Sequence, residues 1–199
     1  MRYQFPHNIS LDEVRSVVDR ANARLDGKIF IEADRGDHII FNYLISVPKA
    51  YEGPIERDNH ILRELRGLTF HKDGRILARK YHKFFNLGEK DETMPESIDF
   101  SNKHLILEKL DGSMCCPVLI GDNVRWTTKM GITDVAIPIE EFVSSRPQYD
   151  AMARWCFEHN LTPIFEWVSR KQKIVIDYPV DNLILTAIRD NFSGKYMPY

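Results

Sequence analysis

The stretch Arg66 to Lys80, RGLTFHKDGRILARK, constrains the fold most. Two apolar runs flank Asp73-Gly74, a dipeptide suited to the tight turn of a β-hairpin. Other short apolar runs repeat the pattern. KIFIEA and HIIFNYLI read as strands joined at Asp34-Arg35-Gly36-Asp37, and LILEK, MCCPVLI, NVRWTTK, PIFEWVS, KIVIDY and NLILTAIRD read as further strands. Helical signals are fewer. Ser10-Leu-Asp-Glu13 is a capping box that predicts a helix to about Arg24, with Val14, Val17, Val18, Ala21 and Leu25 on one face. A second helix is expected over Gln148–His159. The sum is a strand-rich α+β fold with many antiparallel pairs.

Composition narrows the function classes. The 199 residues are 43% hydrophobic, enough for a real core in one large domain or two small ones. Lysine and arginine number 27 against 29 acidic residues, a net charge of −2, so any nucleic-acid contact should be local. No apolar run is long enough to cross a membrane, and the opening Met1-Arg2-Tyr3-Gln4-Phe5-Pro6 lacks a signal-peptide core. Cys115, Cys116 and Cys156 show neither a disulfide framework nor zinc spacing. The expected setting is reducing and cytoplasmic.

Candidate chemistry gathers at Lys109-Leu110-Asp111-Gly112-Ser113. With a side-chain period of two, a strand over LILEK puts Leu105, Leu107 and Lys109 on one face and Glu108 on the other. A lysine amine becomes a nucleophile when apolar surroundings or nearby cations favour its neutral form. Gly112 allows close backbone approach, and Asp111 and Ser113 favour a turn. The bland alternative is a surface lysine before an ordinary turn. Arg66, Lys80, Lys83, Lys129 and Glu166 also sit in or beside apolar strands, where a charge is expected to face a cleft or be poorly solvated.

Taken in order, these pieces resemble the covalent nucleotidyltransferases, and specifically the bacteriophage tRNA-repair RNA ligase family. The pattern is Arg66-Gly67, Lys83-Phe84-Phe85-Asn86, Lys109-x-Asp-Gly-Ser113, Thr128-Lys129 and Phe165-Glu166-Trp167-Val168, with IRDNFSGKYMPY at the end. It runs from about Phe41 to Tyr199. DNA ligases share Lys-x-Asp-Gly but carry Arg where this chain has Met114, and Lys-Phe-Phe-Asn also points to the RNA branch.

The resemblance implies an antiparallel-strand-rich nucleotidyltransferase domain over residues 1–199, ATP-grasp-like, with a nucleotide cleft between sheets. It implies ATP and Mg²⁺ as cofactors and RNA ends, such as cleaved tRNA, as partners. A lysine–AMP intermediate would form on Lys109, then pass to an RNA 5′-phosphate and be displaced by a 3′-hydroxyl. Arg66 and Lys83 would hold ATP phosphates, and Lys129 would assist there. Glu166 would bind the ribose or a metal-bound water, Glu108 and Gly112 would line the pocket, and Phe85 would pack beside it. Phe41 stands where the family carries a tyrosine, so a hydroxyl contact is missing or moved to Tyr43. The metal ligands stay open.

Two family motifs do not appear where expected. The one Glu-Gly, Glu52-Gly53, is far upstream and followed by Pro54, and Lys171-Gln172-Lys173 comes too early, where it flanks a hairpin turn. The chain therefore looks like the first part of a ligase: a fragment, a short form, or half of a split enzyme whose remainder is a C-terminal portion or second chain. Two other readings stand beside the ligase. One is a non-catalytic module that binds nucleotides or RNA ends. The other is an adenylyltransferase with a non-RNA acceptor.

Overall fold

The computed structural model describes residues 3–54 and 56–198. The opening Met1-Arg2 and the last residue of the resemblance, Tyr199, lie outside the described residues. In chain order the elements are α1 (Leu11–Arg24), β1 (Phe30–Asp34), β2 (His38–Tyr43), α2 (Glu56–Glu64), β3 (Arg66–His71), β4 (Ile76–Ala78), β5 (Ser113–Ile120), β6 (Asn123–Thr127), α3 (Ala136–Ser144), α4 (Pro147–Glu158), β7 (Leu161–Val168) and β8 (Asn182–Asp190). They form two four-stranded antiparallel sheets, β1-β2-β3-β4 and β6-β5-β7-β8. No helix among the described residues is long and apolar enough to cross a membrane.

Each sheet has its own apolar layer. Ser10 caps α1 by accepting the Glu13 N–H at 3.2 Å, and Val14, Val17, Val18 and Ala21 are buried. They join Phe30, Ile39, Phe41, Leu68 and Phe70 from the first sheet and Ile61 and Leu62 from α2. Burying an aliphatic or aromatic side chain of this size stabilises by about 1.5–3 kcal/mol. Behind the second sheet, Cys115, Trp126, Phe165, Trp167 and Leu183 pack with Ile139, Phe142 and Tyr149 from α3 and α4. All three cysteines are buried and unpaired.

A buried ionic cluster joins the two layers. Glu64, at the end of α2, accepts from Arg79 Nε at 3.0 Å and Arg189 Nη2 at 2.7 Å. All three side chains are fully buried, and the Tyr3 hydroxyl also donates to Glu64. Burial alone would raise the Glu64 pKa, but the Arg189 and Arg79 guanidiniums hold it down at about 2. The remaining guanidinium donors reach the Asn191, Phe192 and Pro6 carbonyls from Arg79 and the Gly194 and Lys80 carbonyls from Arg189.

Two expected strands are absent. LILEK (105–109) has no regular secondary structure and no strand partner, with Leu105, Ile106 and Leu107 at 61, 91 and 57% exposure. KIVIDY (173–178) is an exposed part of the connection from β7 to β8. An apolar run supplies β-propensity, but propensity alone does not pair a strand: the outer strands of both sheets keep a free edge, and neither segment joins one. The correction matters for Lys109, which stands exposed rather than pointing from a strand tip into an apolar pocket. Helices α2 and α3 have no counterpart in the sequence reading. Half-polar burial along α2 (Asn59, His60, Arg63 and Glu64) hides its apolar stripe, and α3 is short with two buried apolar residues.

His82 stacks on Tyr3 at 4.6 Å between ring centroids, and its Nδ1 lies 2.8 Å from the Tyr196 hydroxyl. Burial, reinforced by Arg189, pushes its pKa down to about 3. Burial also lowers His38 and His60. An unfolded histidine takes up its proton near pH 6.5, whereas folded His82 does so only near 3. Between these values the unfolded chain binds the extra proton. The stabilisation is therefore complete above about pH 6.5 and is lost as pH falls, by about 1.4 kcal/mol per pH unit for His82. Urea denaturation at stepped pH should show stability declining from about pH 6.5, and His82→Phe should flatten that decline between pH 6 and 4. An unchanged slope in the variant would contradict the assignment.

Candidate active site

The site begins at an irregularity in β3. Phe41 pairs with Leu68 and Asn42 with Arg66, so Gly67 is an unmatched, bulged residue. Its φ of +83° suits glycine. A Cβ here would lie 2.8 Å from both the Cα and the carbonyl oxygen of Lys129, and 3.1 Å from Lys80 Cδ. The missing side chain lets the two sheets touch where Arg66 and Lys129 emerge. The Arg66 guanidinium lies 5.3 Å above the ring of Phe84, and the Lys129 amine 5.4 Å above that of Tyr43. Among the described residues no carboxylate is within ion-pair distance of Arg66 or Lys129. Such exposed-ring contacts are worth about 0.5–1 kcal/mol, weak enough for a stronger anionic partner to displace.

Lys83 and Phe85 follow the first sheet. The Lys83 N–H donates to the Arg63 carbonyl at 2.6 Å, and its amine sits 4.6 Å from the Phe85 ring centre and 3.8 Å from Glu89. Burial lowers the Lys83 pKa, Glu89 opposes, and the positive charges of Arg66 and Arg63 lower it further. Phe85 is buried against Tyr51. Its neighbour Phe84 is 55% exposed.

The second sheet contributes Gly112 and Glu166. The Gly112 N–H donates to Glu166 Oε1 at 3.1 Å. A Cβ on Gly112 would lie 2.2 Å from the Trp167 carbonyl oxygen, a contact no side chain tolerates. Partial burial raises the Glu166 pKa, opposed by the Gly112 N–H and the charges of Lys109 and Arg66. Asp111 is occupied locally. Its Oδ2 accepts the Val175 and Ile176 N–H groups at 2.6 and 2.7 Å, and its own N–H donates to the Tyr178 hydroxyl at 2.9 Å.

Arg66 thus lies within electrostatic reach of Lys83 and Glu166, Glu166 also of Lys109 and in direct contact with Gly112, and the Lys129 backbone meets Gly67 next to Arg66. Phe85 packs beside Lys83. Phe41 is completely buried in the first core, edge-on to Phe70, while Tyr43 on the same strand meets Lys129. Glu108 is exposed on the unpaired segment before Lys109. The sequence reading gave no role to Tyr178 or Phe84. Phe84 adjoins Phe85 in the same quoted motif, but only its exposure separates the two. A cavity of about 610 Å³ opens elsewhere, among Ile76, Leu119, Arg154, Phe157 and Phe192. None of the candidate site residues lines it.

A sequence model of the RNA ligase family matches residues 64–199. The chain is 35% identical over 183 residues to a putative RNA ligase of Thermovibrio ammonificans, covering 90% of this chain and 46% of the relative. It is 24% identical over 185 residues to RNA ligase 1 of bacteriophage TS2126, covering 88% and 45%. The chain therefore spans less than half the length of these curated relatives.

Gly112→Ala should destabilise the chain by about 1–3 kcal/mol through overpacking against Trp167. Urea denaturation measures this. A neutral substitution would mean that the Gly112–Trp167 approach does not constrain β5 against β7.

Proposed function

The chain belongs to the phage-type RNA ligase family, and from that premise we propose that it is the nucleotidyltransferase portion of an ATP-dependent RNA ligase. Lys109 Nζ attacks the α-phosphorus of ATP. A nitrogen–phosphorus bond forms, the bond to the bridging oxygen breaks, and pyrophosphate leaves. The AMP passes to an RNA 5′-phosphate, and a 3′-hydroxyl displaces it as the strand is sealed. The nucleotide sits between the two sheets at the Gly67–Lys129 seam. Arg66 and Lys83 bind phosphate oxygens, Arg66 through its two-pronged guanidinium. Lys129 adds charge at the transferred phosphate, Glu166 faces the ribose, and Gly112 forms the wall beside it.

The observation that carries this reading is the hydrogen bond from the Gly112 N–H to Glu166 Oε1 at 3.1 Å, which ties the turn three residues after Lys109 to Glu166. Mg²⁺ needs few protein ligands when phosphates supply the others. Glu166, one of whose oxygens accepts the Gly112 N–H, would bind a water on the ion. Bound there, the ion would neutralise phosphate charge.

The exposure of Lys109 favours a second reading, a module that binds nucleotides or RNA ends without becoming adenylylated. Little protein encloses Lys109, so in the ligase reading ATP itself must complete the enclosure. The alternative acceptor is a separate question, answered by what discharges the adduct.

Incubation with α-labelled ATP and Mg²⁺, then denaturation, should leave acid-labile label on the chain. Lys109→Ala should reduce it to background, and RNA bearing a 5′-phosphate should discharge it. Label that survives in Lys109→Ala would overturn Lys109 as nucleophile. A folded chain that binds ATP without acquiring label would favour the binding module. An adduct that only a non-RNA acceptor discharges would favour the transferase.

A further inference from the structure

Lys80 is 1% exposed, in the segment that leaves β4. Its amine donates to the Gly67 carbonyl at 3.0 Å. Among the described residues no carboxylate lies within ion-pair distance of it. Burial lowers its pKa, and only Cys116 and Cys115 oppose that shift. A lysine taken from water without a carboxylate partner is unfavourable unless its remaining interactions compensate.

The bulge accounts for what the amine does. Gly67 is skipped by the β2–β3 register, and its carbonyl accepts two side-chain donors, Lys80 Nζ and Thr69 Oγ1, each at 3.0 Å. Lys80 also packs its stem against Gly67, while the Lys129 backbone closes on the same α-carbon. With this carbonyl held, the backbone dihedrals at Gly67 are fixed, and a change in them would turn Arg66 relative to the rest of β3 and disturb the contact with Lys129.

We infer that Lys80 is a positioning residue that anchors the bulged Gly67 carbonyl and so holds Arg66 beside Lys129 as one phosphate-binding unit. The inference rests on the ligase reading for the identity of the ligand, a nucleoside triphosphate. The geometry of the unit does not depend on which acceptor receives AMP.

The test is calorimetric titration of the full chain with inorganic tripolyphosphate, using Lys80→Met, Arg66→Ala and the double variant. Methionine keeps the stem and removes the donor and the buried charge. Lys80→Met should weaken binding about tenfold, the loss expected for a hydrogen bond to a charged donor. In the Arg66→Ala background it should cost less than about twofold, because the two residues act as one unit. Thr69→Val, which removes the other donor on the carbonyl, should show a smaller loss coupled to Arg66 in the same way, and it serves where Lys80→Met fails to fold.

Three results would overturn the inference: a folded Lys80→Met chain with undiminished affinity, losses that multiply independently of Arg66, or a wild-type chain that does not bind tripolyphosphate. Independent losses would mean that Lys80 contributes only its charge. The ligase reading fails separately. Coupled losses with tripolyphosphate, in a chain that forms no lysine–AMP with ATP, would support the role of Lys80 and refute the ligase.

Discussion

The buried carboxylate of Glu64 is the constraint on which the rest of the molecule depends. It joins the end of α2 to Arg79 beside β4 and to Arg189 within β8. Removing one partner from such a buried cluster costs about 3–5 kcal/mol, because the others keep their charge without compensation. The cluster also lies directly behind the candidate site. Glu64 is two residues before Arg66, Arg79 precedes Lys80, and Arg189 donates to the Lys80 carbonyl. The positions of Arg66 and Lys80 are thus tied to the element that fastens one sheet to the other.

Against this fixed side, the Lys109 motif is loosely packed. Lys109 extends from an unpaired segment, and the nearest anchors are the Gly112–Glu166 hydrogen bond and the Asp111 contacts with residues 175–178. Asp111 therefore couples two stretches with exposed aliphatic side chains, Leu105 to Leu107 and Ile174 to Ile176. In the proposed reaction the phosphate-binding side is organised before the attacking lysine is enclosed. That order is consistent with catalysis by positioning and electrostatic stabilisation.

Local signals in the sequence carried much of the fold. The Ser10 capping box, the Asp73-Gly74 hairpin and the strand over NLILTAIRD each depend mainly on neighbouring residues, and each is present. LILEK and KIVIDY have the right composition but pair with no strand, and composition cannot report pairing. Arg66 and Glu166 were singled out as charges within apolar runs, and both lie on strands, β3 and β7. The same reasoning does not distinguish them from Arg189, a strand charge neutralised inside the cluster. Phe41 illustrates the opposite ambiguity: its motif position suggested a nucleotide contact, whereas its alternation along β2 turns it into the core. Lys80 was visible as a residue, but its role depends on a bulge that the sequence suggests only through one glycine.

The most direct test of the account is to locate the modified residue by fragmentation mass spectrometry after the chain is incubated with ATP and Mg²⁺. The account predicts AMP on Lys109 alone. AMP on Lys83, Lys129 or another side chain, or no adduct on a folded chain that binds ATP, would contradict it.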